Sequence, residues 1–178
     1  MKSGIGQAVA VSFAREGCTR IAIADLNEDG LRETEKLIRE ASSASGVEKI
    51  AVKIQRVNVL NESEVGDLVE SAVDQFGRVD YAVNCAGKHL LYAHKPCTRI
   101  ADENSGIIGS GDPSHSMSVE AFDHTTNINY RGCWLSSRAE IQQMRGQEPL
   151  ETHDGRPGGR GAIGESIDAR YEGQSSSC

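Results

Sequence analysis

The sequence has few aromatic residues, few prolines and no long hydrophobic run. Phe, Trp and Tyr make up 4% of its 178 residues, and only four prolines occur. A stretch of about 20 apolar residues is needed to cross a bilayer, and no stretch approaches that length. The amino terminus also lacks the basic and then apolar segments of a signal peptide. These absences argue against a membrane protein and a secreted one, and they favour the cytoplasm.

Positive charge is also scarce. Lys and Arg total 19 against 26 Asp and Glu, which gives a formal net charge of −7 and argues against nucleic acid or a membrane surface as a partner. The five cysteines are odd in number and form no CxxC pair, as is typical of reduced thiols in a cytosolic protein. His89, His94 and Cys97 are close in sequence but have no matching second pair of ligands, so no metal site is predicted.

Hydrophobic periodicity predicts alternating helices and strands within one domain. The predicted elements are helices at 4–15, 27–41 and 61–76, strands at 20–25, 50–59 and 79–84, and a further helix at 118–144 that contains a break. Asn27 is a suitable cap for the second helix, and Asn61 with Glu64 resembles a capping box ended by Gly77. This order indicates an α/β fold with a parallel sheet and right-handed crossovers.

The rest of the chain is more polar and richer in glycine. Residues 88–117 are predicted to form a long irregular loop. Residues 146–178 contain seven glycines and end in GQSSSC, a composition that buries too little apolar surface to offset chain entropy. We therefore predict a folded domain over 1–145 followed by a divergent tail, disordered over most of 146–178.

The start of the chain carries the signal with the clearest chemistry. Gly4 and Gly6 precede or begin a helix, whose N-terminal N–H groups and partial positive charge suit a pyrophosphate. Asp25 ends the following strand, where a carboxylate accepts hydrogen bonds from the adenosine ribose and repels a 2′-phosphate. A helix that starts with glycine is common, so the prediction of dinucleotide binding depends on the glycines, the helix, the strand and Asp25 together.

Four stretches of the sequence resemble the short-chain dehydrogenase/reductase family in order and spacing. They are SGIGQAVAVSFAREG at 3–17, Asp25, VNV at 57–59 and NCAG at 84–87. The resemblance implies a Rossmann-like, doubly wound parallel sheet that binds NAD, which Asp25 favours over NADP. The cofactor contacts that it implies are Ser3, Gly4, Ile5, Gly6, Asp25, Leu26, Asn58, Val59, Asn84, Ala86 and Gly87. A plain strand-to-loop turn is the simpler alternative for 84–87.

Three further features follow from the same resemblance. Asn58 stands where the family has Asp, and Cys85 replaces an Asn beneath the cofactor. Asn129 matches the asparagine of the family's proton relay, although a helix asparagine with only a local hydrogen bond would look the same. The helix at 118–144 corresponds to one that pairs subunits in the family, which implies a homo-oligomer.

The family's catalytic serine and its Tyr-x-x-x-Lys motif are absent from this sequence. GRGAI at 159–163 resembles the start of the fifth strand, but the pattern then stops, and the expected serine position falls near Asp168. None of the four tyrosines has a lysine four residues later. Because tyrosine and lysine would supply the acid–base chemistry, we predict that this chain does not turn over substrate.

The resemblance also implies an incomplete sheet. Gly4 and Gly6 match the last two glycines of the family's Thr-Gly-x-x-x-Gly-x-Gly turn, so the first strand is expected upstream of Met1 and the fifth is expected to be disrupted. Open strand edges predict poor stability. Three hypotheses remain: an NAD-dependent oxidoreductase of an alcohol or ketone, a catalytically inactive dinucleotide-binding or partner-binding module, and a truncated product without function.

Overall fold

The computed structural model describes residues 4–47, 49–87 and 115–150, together with the backbone of 162–164. Helices and strands alternate along these ranges, as predicted. In chain order they are α1 Ile5–Arg15, β1 Arg20–Asp25, α2 Glu28–Ala44, β2 Ala51–Arg56, α3 Glu62–Phe76, β3 Tyr81–Val83, α4 Val119–Thr126, a π-helical segment Asn127–Gly132, α5 Cys133–Arg145 and β4 Ala162–Gly164.

Side-chain caps set the starts of α2 and α4. Asn27 accepts a hydrogen bond from the backbone N–H of Gly30 at 3.0 Å, and Ser118 accepts one from that of Ala121 at 3.1 Å. Each bond satisfies a donor that helix geometry leaves without an intrahelical partner. The predicted cap at Asn27 and the predicted start of the long helix near Ser118 are therefore confirmed.

At the start of α3 a related arrangement replaces the predicted capping box. Asn61 accepts from the backbone N–H of Ser63 at 3.1 Å. Glu64 binds the side-chain amide of Asn61 at 2.8 Å and the backbone N–H of Asn58 at 2.7 Å. Its carboxylate thus ties the helix to the turn after β2. The helix ends at Gly77, whose φ of 85° is the left-handed conformation that glycine adopts most readily.

The described strands form two parallel pairs. β1 pairs with β2 along its length, with Asp25 opposite Arg56, and β3 pairs with β4, with Tyr81 opposite Ala162. Within the described residues each pair is a separate two-stranded sheet. This agrees with the predicted α/β class and is consistent with an incomplete parallel sheet.

The helices pack in two pairs, α1 against α2 and α3 against α5. The α1–α2 side carries the main core, formed by Ala10, Ala14, Ile21, Ile23, Leu31, Ile38 and Ala41. A polar contact crosses this helix pair: the fully buried Thr34 accepts from the Gln7 amide at 3.0 Å and donates to the carbonyl of Gly30 at 2.8 Å. Its hydroxyl is thus satisfied on both sides, as burial of a polar group requires.

Two contacts join the strand pairs at their amino ends. The guanidinium of Arg20, the first residue of β1, donates to the carbonyl of Phe76 at 2.9 Å. The rings of Phe13 on α1 and Tyr81 on β3 lie 6.0 Å apart, tilted by 45°. Both contacts bring the start of β1 and the start of β3 to the same side of the molecule.

The helix at 119–145 joins the two strand pairs near their carboxyl ends. Position 132 has no side chain and faces Val59, just after β2, at a distance that leaves no room for a methyl group. One residue earlier, Arg131 donates to the carbonyl of Leu60 at 3.1 Å. The turn after β2 is therefore packed directly on the π-helical segment.

The carboxyl-terminal predictions have mixed outcomes. The helix predicted at 118–144 is confirmed, and its regular α-helical geometry is interrupted by the π-helical segment Asn127–Gly132. β4 lies at 162–164 and overlaps the predicted fifth-strand start at 159–163. Most of the predicted loop, 88–114, and most of the predicted tail, 151–161 and 165–178, fall outside the described residues. The division of the chain at residue 145 therefore stays a prediction.

Across the described ranges, every helix is too short or too polar to span a membrane.

Gly132→Ala should destabilise the fold. The helical φ of −64° accepts alanine, but the new Cβ would lie 2.8 Å from Cγ2 and 3.2 Å from Cβ of Val59. Overpacking of this kind costs about 1–3 kcal/mol of unfolding free energy. Urea denaturation measures the loss.

Gly66→Ala is the matched control for this substitution. Gly66 lies inside α3, where an added Cβ would meet nothing within 4 Å. Alanine there should stabilise by about 0.5–1 kcal/mol through helix propensity alone. Equal effects at the two positions would contradict the close contact between Gly132 and Val59.

Candidate functional site

The amino-terminal end of α1 is open and free of side-chain caps. Gly4 precedes the helix with φ 116° and ψ −171°, a conformation that residues with a Cβ rarely adopt. A Cβ at this position would meet no atom of the described residues within 4 Å. The following Ile5 is 77% exposed and Gly6 is half-buried. Ser3, a predicted contact, lies outside the described residues.

A short turn fixes Asp25 at the carboxyl end of β1. Its Oδ1 accepts from the backbone N–H of Asn27 at 2.9 Å, while Asn27 itself caps α2. Asp25 is half-buried, and Leu26 beside it is exposed. The carboxylate is thus held by the loop between β1 and α2, at the sheet edge where the ligands of parallel α/β proteins bind.

The residues after β2 continue the same edge. The backbone N–H of Val57 donates to the carbonyl of Asp25 at 3.1 Å, which extends the strand pairing beyond Arg56. Asn58 follows, and its Oδ1 accepts from the backbone N–H of Leu60 at 3.1 Å. The side-chain carbonyl of Asn58, a predicted cofactor contact, thus stabilises its own turn, and a carbonyl oxygen has a second lone pair.

The turn after β3 is hydrogen-bonded to the long helix at Asn84 and lies close to it at Gly87. The side-chain nitrogen of Asn84 donates to Glu140 Oε2 at 2.9 Å and to Ser137 Oγ at 3.3 Å. At the other end, a Cβ on Gly87 would lie 3.4 Å from Asn129 Oδ1. Ala86 and Gly87 are exposed, and Cys85 is half-buried. We refer to residues 84–87 as the β3 turn.

The π-helical segment brings these parts together. Val59 contacts position 132, and Gly87 approaches Asn129, less than one turn away on the same helix. The carboxyl ends of β2 and β3 therefore meet at one edge. The predicted catalytic residue Asn129 lies beside the predicted cofactor-binding β3 turn, although its chemical role stays a prediction. Segments with i→i+5 hydrogen bonding often mark functional sites.

Two polar residues at this site were missed by the sequence analysis. Ser137 and Glu140 are one helical turn apart on α5, and together they bind Asn84. A sequence signal was present, because 137, 140 and 144 follow helical spacing and so share one face of the helix. The structure buries Ser137 and Met144 on that face. An acidic residue on that inner stripe indicates a polar partner in the sheet.

Glu140 has the clearest electrostatic signature at the site. Burial raises the pKa of its carboxyl above the ordinary value of 4.5, and the hydrogen bond from Asn84 opposes part of that rise. Ser137 is a neutral neighbour. The protonated and ionised forms both keep an oxygen acceptor for the Asn84 amide.

The predictions about a metal site and about the catalytic serine fall on residues outside the described part of the chain. His89, His94 and Cys97 lie outside it, as does Asp168. Within the described part of the chain, no group of three or more His, Cys, Asp or Glu side chains could hold a metal ion.

Comparisons with known proteins point to one family. A family model described as enoyl-(acyl carrier protein) reductase matches residues 1–150. The short-chain dehydrogenase fogB of Aspergillus ruber is 31% identical over 146 residues, which cover 82% of this chain and 46% of that protein. Levodione reductase of Leifsonia aquatica is 28% identical over 146 residues, covering 82% and 45%. The chain spans about half the length of the curated relatives it matches.

Solved structures share the fold. A crystal structure of NAD+-bound xylitol dehydrogenase is similar with a TM-score of 0.62 and 25% identity, covering 80% of this chain and 45% of that one. A structure of an actinorhodin polyketide ketoreductase variant with NADPH has a TM-score of 0.60 and 22% identity, covering 80% and 44%. These similarities confirm the predicted Rossmann-like parallel fold.

The pKa of Glu140 makes stability depend on pH. Because the folded-state pKa is raised above 4.5, this group's contribution is complete below that value and is lost as pH rises through the folded pKa. Glu140→Gln keeps an oxygen acceptor for Asn84 but cannot ionise. We expect this variant to gain stability relative to the unaltered chain as pH rises from below 4.5 to neutrality, measured by urea denaturation.

Glu70→Gln provides the comparison for this effect. Glu70 is exposed on α3, so the pH profile of Glu70→Gln measures the effect of replacing a surface carboxylate and is compared with that of Glu140→Gln over the same pH range. A pH-independent difference between Glu140→Gln and the unaltered chain would show that the carboxyl titrates alike in the folded and unfolded states.

Proposed function

The chain belongs to the short-chain dehydrogenase/reductase family, and we propose that residues 1–150 form the nicotinamide-dinucleotide-binding part of an oxidoreductase that acts on an alcohol or ketone. The observation that carries the proposal is the common edge formed by the turns after β2 and β3 on the π-helical segment. Ligands of doubly wound sheets bind at this edge. Structures of two similar proteins, a xylitol dehydrogenase with NAD+ and an actinorhodin polyketide ketoreductase variant with NADPH, support the ligand class.

The residues at the start of α1 suit a pyrophosphate. The N–H groups of a first helical turn lack intrahelical acceptors and carry partial positive charge. Gly4 adds no side chain, and a Cβ there would meet no atom of the described residues within 4 Å. Ile5 and Gly6 would contribute backbone N–H groups, and Ser3 precedes them in sequence. When bound, the dinucleotide supplies the nicotinamide ring that exchanges hydride with a substrate.

Asp25 supports NAD as the preferred form. Its carboxylate sits at the end of β1, where it would accept hydrogen bonds from the adenosine ribose and repel a 2′-phosphate. Leu26 and Asn27 follow it, and neither carries the positive charge that would attract that phosphate. Asn58 and Val59 would border the adenine, and the β3 turn would lie beneath the cofactor.

We propose that the 178-residue chain does not turn over substrate. Asn129 is placed beside the β3 turn, but the sequence contains no Tyr-x-x-x-Lys to transfer the proton at the substrate oxygen. The alternatives to an oxidoreductase are a catalytically inactive dinucleotide-binding or partner-binding module and a product without function. Net charge of −7 and an odd number of cysteines without a CxxC pair support a cytoplasmic protein without nucleic-acid or membrane partners.

Binding of NAD+ should raise the thermal midpoint of the purified chain. A ligand that binds only the folded form stabilises it by about 2.7 kcal/mol at 100 times its dissociation constant, which raises the midpoint by several degrees. A cooperative melt without any NAD+ shift would contradict cofactor binding. Absence of a cooperative melt would favour a product without function, and dehydrogenase turnover would contradict the proposed inactivity.

Asp25→Asn sharpens the same experiment. Asparagine preserves the acceptor for Asn27 but removes the negative charge that opposes a 2′-phosphate. We expect the ratio of NADP+ to NAD+ dissociation constants to fall about tenfold. Asp67→Asn, on the exposed surface of α3, should leave the ratio unchanged. An equal change of this ratio in both variants would show that the effect comes from the net charge of the protein and not from the position of Asp25.

We also propose that two copies associate through the helix at 118–144. Val119, Phe122 and Tyr130 are 70%, 58% and 75% exposed along it, which is unusual for large apolar side chains on a single helix. The Trp134 ring is 53% exposed, although the Arg138 guanidinium lies 5.6 Å from its centre. Burial of these side chains against a second copy would remove them from water.

Phe122→Glu should convert the associated form to monomer. A charge at the centre of an apolar contact opposes its desolvation, and sedimentation velocity measures the mass. Thr126→Glu, also exposed on α4, is the matched charge control. A monomeric unaltered chain, or equal dissociation by both variants, would contradict the proposed interface.

A further inference from the structure

Asn84 connects the sheet to α5 through both hydrogens of its side-chain amide. One N–H contact goes to Glu140 Oε2 at 2.9 Å, and the other goes to Ser137 Oγ at 3.3 Å. A carboxamide nitrogen has only these two hydrogens to donate. The side chain of Asn84 is therefore committed to α5, and its nitrogen has no donor left for a ligand.

Glu140 makes the shorter of these two contacts. It is half-buried, and it lies on the side of α5 that carries the buried Ser137 and Met144. A carboxyl group in such a place is unfavourable unless a donor binds it. The Asn84 amide is that donor, and burial raises the pKa of the carboxyl in the same position.

The backbone that follows Asn84 is exposed and short. Cys85 is half-buried, Ala86 and Gly87 are exposed, and Gly87 approaches Asn129 closely enough that a Cβ would be 3.4 Å from its Oδ1. Asn84, the first residue of the β3 turn, is thus hydrogen-bonded to α5, and Gly87, the last, lies close to the π-helical segment. Loss of the first attachment would release a chain segment that has little packing of its own.

We propose that Glu140 is a positioning residue for cofactor binding: with Ser137 it fixes Asn84 and so sets the path of the β3 turn beneath the dinucleotide. The ligand part of this inference rests on the proposed function, whereas the effect on the turn does not. Glu140 acts through Asn84 and makes no contact with the ligand. The β3 turn would meet the ligand through its backbone and the small side chain of Ala86.

The test separates the effect of the Glu140 acceptor oxygen from the effect of the size of its side chain. Glu140→Leu removes the acceptor at similar volume, and Glu140→Gln restores an acceptor without the charge. Glu70→Leu, exposed on α3, is the matched control. Amide hydrogen exchange at Cys85, Ala86 and Gly87 is followed by NMR without ligand, and NAD+ affinity is measured by calorimetry.

The expected result is a local change in Glu140→Leu. Exchange in the β3 turn should accelerate about tenfold and NAD+ should bind about tenfold more weakly, the size of one lost hydrogen bond to a charged group. Exchange in α2 should stay the same. Glu140→Gln should restore slow exchange, and Glu70→Leu should match the unaltered chain.

Each other outcome decides the proposal or the function on which it rests. Unchanged exchange in Glu140→Leu, or failure of Glu140→Gln to restore it, would overturn the positioning role. If the unaltered chain exchanges slowly in the β3 turn but does not bind NAD+, the proposed function is overturned. The comparison of exchange among the variants still tests the positioning role of Glu140. If Glu140→Leu does not fold, Ser137→Ala removes the second acceptor, and unchanged exchange in that variant would overturn the inference.

Discussion

The close approach of Gly132 to Val59 is the constraint on which the rest of the structure depends. At this point the long helix lies so near the turn after β2 that a methyl group would be 2.8 Å from the valine side chain. Rigid packing at that distance leaves little freedom for the helix to rotate or slide. Its neighbouring residues then fall where the other strands end, with Asn129 beside Gly87 and Glu140 beside Asn84.

Polar contacts complete what packing begins. Glu64 ties the start of α3 to Asn58, Arg131 binds the carbonyl of Leu60, and Glu140 holds Asn84. All three connect a helix to the turn that follows a strand, so they act on loops that apolar packing alone would leave loose. This placement links the stability of the helix layer to the geometry of the candidate site.

The two parallel strand pairs are joined by helices and side chains rather than by a shared ladder of hydrogen bonds. Arg20 reaches the carbonyl at Phe76, and the Phe13 ring packs against Tyr81, both near the amino ends. At the opposite end the π-helical segment contacts the turns after β2 and β3. Because these contacts lie at both ends of the strands, they fix the position of the edge that forms the candidate site from both ends.

The sequence by itself determined the local elements and the class of fold. Periodicity and caps such as Asn27 act over a few residues, so the helices, the strands and their parallel order could be read without a structure. The approximate places of Asp25, Asn58 and Gly87 at strand ends followed from the same pattern. Only the tertiary structure decided that Ser137 and Glu140 bind Asn84, more than fifty residues away in sequence, and that Asn129 meets Gly87 through a π-helical segment. Such contacts depend on the register of a helix against a sheet, and a register is set by packing between distant segments rather than by neighbours in the chain.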